Sequence, residues 1–166
     1  RGSARPRGGG RRTKKKTQES PIHVILKATT TRSIWRAIPV RNIIQQIVGN
    51  VIEKVLETLE KDGLQSIGSS IERLQRIVNP AILEIVAATI EQMDRALAEA
   101  SVQRRKDGIT VKERNVPREL LTELGTLRYR RTYFESRDSR FYLTDQLIGV
   151  EPYERVSREL CAKLVQ

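Results

Sequence analysis

A chain of 166 residues has room for one ordinary domain or for two small modules that share a core. With 38% apolar residues but only 4% aromatics, any core must be built from Ile, Leu, Val and Ala, a composition that favours helices. The single cysteine, Cys161, excludes an internal disulfide and a multi-cysteine metal site, and the sequence holds neither a spanning apolar run nor a signal-peptide pattern, so a cytoplasmic chain is expected.

The formal charge of +11 is unevenly spread. Residues 1–16 carry eight Arg or Lys and no acid, residues 53–103 carry nine acids against five bases, and residues 104–140 return to eleven bases against six acids. Clustered cations of this kind suit phosphates, because each neutralised phosphate releases counterions. A solvated tail on a nearly neutral domain is the plainer alternative.

In chain order, residues 1–20 (RGSARPRGGGRRTKKKTQES) have no apolar side chain larger than Ala4 and are expected to be disordered, within a basic tail covering 1–35. IHVIL at 22–26 has strand composition, but Pro21, Thr29 to Thr31 and Pro39 interrupt any period. His23 is the sole histidine, with no ligand partner for a metal, so a structural or surface role is expected.

A helical bundle is predicted over 38–105. Apolar pairs recur every four residues from Asn42 to Lys61, Gly63 supplies a left-handed stop, and Leu64, Ile67, Ile71, Leu74 and Val78 form one seam on a second helix. Asn79-Pro80 reads as the cap and first residue of a third helix that runs to about residue 103. The seam fits either intramolecular packing or a homo-oligomer. Glu91 and Asp94 read as solvated helix surface and not as catalytic carboxylates, while Arg104, Arg105 and Lys106 suit the negative end of the helix dipole.

An antiparallel β module is predicted over 109–150. From Ile109 the period becomes two: Ile109 and Val111 share one face, Lys112 and Arg114 lie on the other, and Pro117 is expected to break the run. In TELGTLRYRRTYF, Leu127, Tyr129 and Tyr133 share a face, Arg128 and Arg130 share the opposite one, and Arg131 departs from the pattern by sitting on the apolar side. Gly125 suggests a bulge or close backbone approach, and Phe141 to Leu143 a returning strand. Alternate arginines would project about 6–7 Å apart, given the ~3.3 Å rise per residue, close to the phosphate spacing of one DNA strand. Such a sheet serves either as a DNA-contacting surface or as a core sheet with solubilising arginines outside, and both readings stay open. Over 152–166 a further helix is expected, opened by Pro152, with Tyr153, Val156, Leu160 and Leu164 on one face and Cys161 buried beside it. The start at Arg1 and the stop at Gln166 inside a helical pattern suggest truncation. The fold class expected is α+β: a bundle of three helices, a small antiparallel sheet and a C-terminal helix behind a basic tail.

Several spaced residues carry a family likeness: Arg118, Thr122 and Gly125, then Arg131 and Tyr133, then Leu143, Asp145 and Gly149, followed by YERVS at 153–157. In this order they resemble the N-terminal part of the ISLre-two family of bacterial insertion-element transposases, and the strand region is similar to that of Mutator-like transposases. The resemblance runs from about Ile38 to the end and leaves residues 1–35 outside. It implies a DNA-binding and oligomerising portion that recognises double-stranded element ends; the residues expected to touch DNA are Lys112, Arg114, Arg128 and Arg130 from the strand alternation, with Arg118 and Arg131 from the family positions. For the complete family member it implies a three-carboxylate, two-metal Mg²⁺ site, which would lie further along and gives this stretch no catalytic residue, Asp145 included. No nucleophile–base pair, metal cluster, phosphate loop, membrane anchor or small-molecule site is read in the sequence itself. A helical interaction module whose tail binds polyanions without specificity is the competing expectation. RNA binding is disfavoured, because the aromatics share the apolar face and leave no stacking platform beside the cations.

Overall fold

The computed structural model describes residues 40–63, 66–137 and 139–165. The expectations for the basic tail, His23, Leu64 and Asp138 fall outside these residues. Among the described residues the layout is α+β as expected: three leading helices, a three-stranded antiparallel sheet and C-terminal helices.

Helix α1 (Val40–Asp62) and helix α2 (Ile67–Glu99) form an antiparallel hairpin. The stripe Ile44, Ile47, Val51, Val55 and Leu59 is the more buried face of α1, with Ile47 at its centre. Gly63 takes φ +58°, and its N–H donates to the Leu59 carbonyl at 3.0 Å, the left-handed stop that the sequence signals. Ser66 caps α2 by accepting from the Ser69 N–H at 3.3 Å.

The break expected at Asn79-Pro80 is absent, and both residues lie inside the 33-residue α2. Pro80 removes one backbone hydrogen bond, but it is exposed on the helix surface, where the Arg76 carbonyl that loses its partner can be hydrated. A short helix α3 (Ser101–Lys106) follows. The Arg104 guanidinium turns back to donate to the carbonyls of Leu97 (3.0 Å) and Ala98, capping α2 as the cationic run suggests.

Strand β1 (Thr110–Thr122), strand β2 (Gly125–Glu135) and the two-residue strand β3 (Arg140–Phe141) form the sheet in that order. Pro117 does not break β1. It pairs with Arg130 from an edge strand, where a missing N–H is tolerated. Two register shifts, between Val111 and Glu113 and between Glu113 and Val116, insert bulges into β1, the second carrying Asn115 at φ +59°.

Two apolar clusters lie on opposite faces of β2. Ile90, with Leu83 and Ala87 against it, packs on Leu120, Leu127 and Tyr129, while Met93, Leu97 and Ala98 pack on Ile109, Phe134 and Leu143. Leu127 and Tyr129 are odd in number and Phe134 is even, so α2 passes from one face of β2 to the other around its open edge.

The returning strand is shorter than expected, and Leu143 instead begins helix α4 (Leu143–Ile148), closed by Gly149 at φ +75°. The C-terminal helix also starts later. Residues 152–156 are not helical. Leu121 bridges Val156, donating to the Arg155 carbonyl and accepting from the Ser157 N–H, each at 2.8 Å. Pairing with the β1 edge thus takes backbone groups that a helix would have used. Ser157 then caps helix α5 (Arg158–Leu164), which buries none of its residues, so Cys161 is exposed, not buried.

Phe134 is fully buried between α2, α3 and β3, so Phe134→Ala is expected to lower unfolding free energy by about 3–5 kcal/mol. Leu164→Ala, at a 74% exposed position, should move it by less than about 0.5 kcal/mol. Urea denaturation followed by circular dichroism checks both.

Candidate nucleic-acid interface

The β1–β2 hairpin closes through Glu123 and Leu124. Thr122 Oγ1 donates to the Gly125 carbonyl (2.8 Å) and accepts from the Leu124 N–H (3.3 Å). Gly125 is therefore the first residue of β2, not a bulge within a longer strand. Its φ of +126° favours glycine, whereas a Cβ at this position would make an ordinary 3.4 Å contact with Leu83 Cδ1, so the backbone angle and not lack of space calls for glycine.

This turn fixes which side chains emerge on each side. Arg128 and Arg130 alternate with Leu127 and Tyr129 and project from the exposed face. Arg128 stands across from Glu119, with Nε 2.7 Å from its carboxylate, and both side chains are largely exposed. That pair therefore contributes at most about 1 kcal/mol and can exchange its acid for another anion. Lys112 and Arg114 are exposed at the β1 bulges, and Lys112 Nζ lies 3.6 Å from Glu135. The hydrogen bond from Arg140, and then the charge of Lys112, hold the Glu135 carboxyl below its usual range.

The other two arginines of the sequence reading are engaged inside the protein. Arg118 donates to the carbonyls of Glu151 (3.1 Å), Pro152 (3.3 Å) and Glu154, pinning the loop after α4. Arg131 is 6% exposed, pairs with the buried Asp145 and lies over the Tyr142 ring, its guanidinium carbon 3.5 Å from the centroid. Burial, then the neighbouring Arg118 charge, lowers the Arg131 pKa. Tyr129 Oη also donates to Asp145, at 2.9 Å, and burial raises the phenol's pKa.

Asp94 is not solvated helix surface. It is 6% exposed and accepts from the Thr132 N–H (2.8 Å), from Thr132 Oγ1 and from Thr144 Oγ1. Glu91, one turn earlier, accepts from the Arg130 N–H at 2.8 Å. The sequence hides the role of Asp94 because its spacing matches the polar face of α2. Asp145 is signalled indirectly: an arginine out of register on an apolar strand face needs a buried counter-charge. Among the described residues no group of three or more His, Cys, Asp or Glu could hold a metal ion, so they do not fit a Mg²⁺ centre.

The fold and this surface define a small α+β module with a helical hairpin laid across a twisted, bulged β-hairpin. Residues 43–166 match the model of an uncharacterised protein family, UPF0236, and the chain belongs to that family. A UPF0236 protein of Caldanaerobacter subterraneus subsp. tengcongensis (strain DSM 15242 / JCM 11007 / NBRC 100824 / MB4) is 35% identical over 114 residues, covering 68% of this chain and 24% of the relative. Another UPF0236 protein of that organism is 30% identical over 161 residues, 92% of this chain and 32% of the relative. The chain thus spans about a quarter to a third of the length of these relatives. The name of the first joins eleven separate designations. No solved structure matches the chain.

Removing the Asp145 carboxylate strands the Arg131 charge, so Asp145→Ala should cost about 3–5 kcal/mol, whereas Arg131→Met combined with Asp145→Leu should cost clearly less than the two single changes summed. A double-mutant cycle in urea measures this. Because the Tyr129 pKa is raised by folding, its contribution is complete below pH ~10 and is lost as pH rises through the folded value. Stability measured from about pH 8 to 11 should therefore fall at the alkaline end, and less steeply in Tyr129→Phe.

Proposed function

We propose that this chain is the DNA-binding, self-associating N-terminal portion of an insertion-sequence transposase, working in the cytoplasm on double-stranded element ends. The observation that carries the reading is the pair Arg128 and Arg130, presented on the exposed face of the β1–β2 hairpin, with Lys112 and Arg114 exposed at the bulges of its partner strand. Guanidinium groups so placed can contact successive phosphates or form bidentate contacts to guanine. The motif order from Arg118 to Ser157 supports the family assignment. A protein carried under eleven designations in one organism also supports it, because repeated insertion of one reading frame would leave such copies.

Self-association is supported by apolar side chains left exposed on both helices of the hairpin. Val48, Ile52 and Leu56 follow one another every four residues along α1, and Ile71, Ile82 and Val86 share one face of α2. Catalysis and its Mg²⁺ belong, on this reading, to the part of the complete protein that this chain does not span.

The competing reading, an interaction module whose basic tail binds polyanions, is favoured by one feature: Glu119 already neutralises Arg128. Deletion and substitution separate the two. In mobility-shift and fluorescence-anisotropy titrations with element-end duplex, Arg128→Ala with Arg130→Ala should weaken binding at least about 10-fold and reduce the salt slope by about 2. Affinity that survives these changes but vanishes when residues 1–20 are deleted would transfer the assignment to the tail.

A further inference from the structure

On the inner side of the hairpin, the loop after α4 and strand β3 enclose a cleft of about 710 Å³, within the ~300–1,000 Å³ typical of small-molecule sites. Arg118 and Arg131 line it, Arg140 stands beside them, and Tyr133, Tyr142 and Tyr153 supply aromatic surface. Tyr133 and Tyr142 are in ring contact, with centroids 4.8 Å apart, while Tyr153 is 94% exposed. The apolar strand face thus also holds cations, and the separation of aromatic and basic residues expected from sequence does not hold in this cleft.

The charges lining the cleft do not balance. Of the two carboxylates among its described lining residues, Asp145 is committed to Arg131, and Glu151 lies 3.0 Å from Arg158 outside the cleft; Arg140 is itself paired with Glu135 at 2.8 Å, so the uncompensated charge is that of Arg118. Arg118 meets carbonyl oxygens, which share its hydrogen bonds but do not cancel its charge. The Nε atoms of Arg118 and Arg131 are both shielded from solvent and have no acceptor among the described residues. Two neighbouring guanidinium groups with unused donors are costly to bury unless an anion completes the set.

We propose that this cleft is a nucleotide site, in which the phosphate is held by the Arg118–Arg131 floor with Arg140 beside it, and the base stacks on the Tyr153 and Tyr142 side. Phosphate and aromatic base are the two chemistries that arginine and tyrosine recognise together, and stacking tolerates any base. The site is separate from the Arg128–Arg130 face and does not rest on its role. The nucleotide is either free or the terminal residue of a DNA strand.

Isothermal titration calorimetry of the full chain tests this with deoxyadenosine 5′-monophosphate, deoxyadenosine, inorganic phosphate and a 5′-phosphorylated oligodeoxythymidine. The monophosphate should bind at least about 10-fold more tightly than deoxyadenosine or phosphate alone, because each offers only half of the contacts. Tyr153→Ala, at an exposed position outside both cores, should weaken monophosphate binding about 5- to 10-fold and leave phosphate unchanged, whereas Arg140→Gln should weaken both. An oligonucleotide that binds more tightly than the monophosphate, and is displaced by it, identifies the ligand as a strand end; equal affinities identify a free nucleotide. No binding of either, or binding that both substitutions leave unchanged, overturns the site. Arg128→Ala with Arg130→Ala should leave monophosphate binding intact, so failure here is distinguishable from failure of duplex recognition.

Discussion

The structure depends on how the open edge of β2 is satisfied. Strand β3 pairs with only Phe134 and Glu135, so the N–H groups of Arg130 and Thr132 would otherwise lack strand partners on that side. Helix α2 supplies carboxylates in their place, Glu91 to Arg130 and Asp94 to Thr132, and Asp94 reaches Thr144 at the start of α4 as well. An unpaired buried N–H costs about 1–3 kcal/mol, so these acceptors do more than fill space. They set the position of α2 along the sheet and prevent the edge from pairing with another chain.

That placement explains the two-sided core. As α2 rounds the edge, Leu83, Ala87 and Ile90 meet the odd-numbered face of β2, and Met93 and Leu97 meet Phe134 on the other. Burial accordingly changes parity at Arg131 and Thr132, which are consecutive and both buried. The bulges of β1 accompany this change, since an extra residue increases local twist and lets the longer strand wrap.

The same twist divides the arginines by role. Arg128 and Arg130 lie where the hairpin face stays open, and the weak pairing of Arg128 leaves it able to meet phosphate. Arg118 and Arg131 face inward, one tethering the loop by its carbonyls and the other pairing with Asp145. A spacing motif that reads as one basic surface therefore becomes two structures with different chemistry. On the proposed readings, the outer one would meet a duplex, and the inner cleft, with its tyrosines, a single nucleotide.

The sequence by itself determined what rests on local chemistry. The apolar period of α1, the Gly63 stop, the cationic cap at Arg104 and the alternation of Leu127, Arg128, Tyr129 and Arg130 are all short-range effects, and each is found in the structure. Tertiary structure decided whatever depended on distant partners. Pro80 continues a helix because it faces water, and Pro117 stays in a strand because that strand is an edge. Residues 152–156 are not helical because Leu121 offers them a backbone partner. Asp94 is buried because Thr132, far away in sequence, presents two donors to it. Periodicity records which face of an element is apolar, but not which polar atom another element will bring against it, and in this protein those polar pairings fix both the fold and the site.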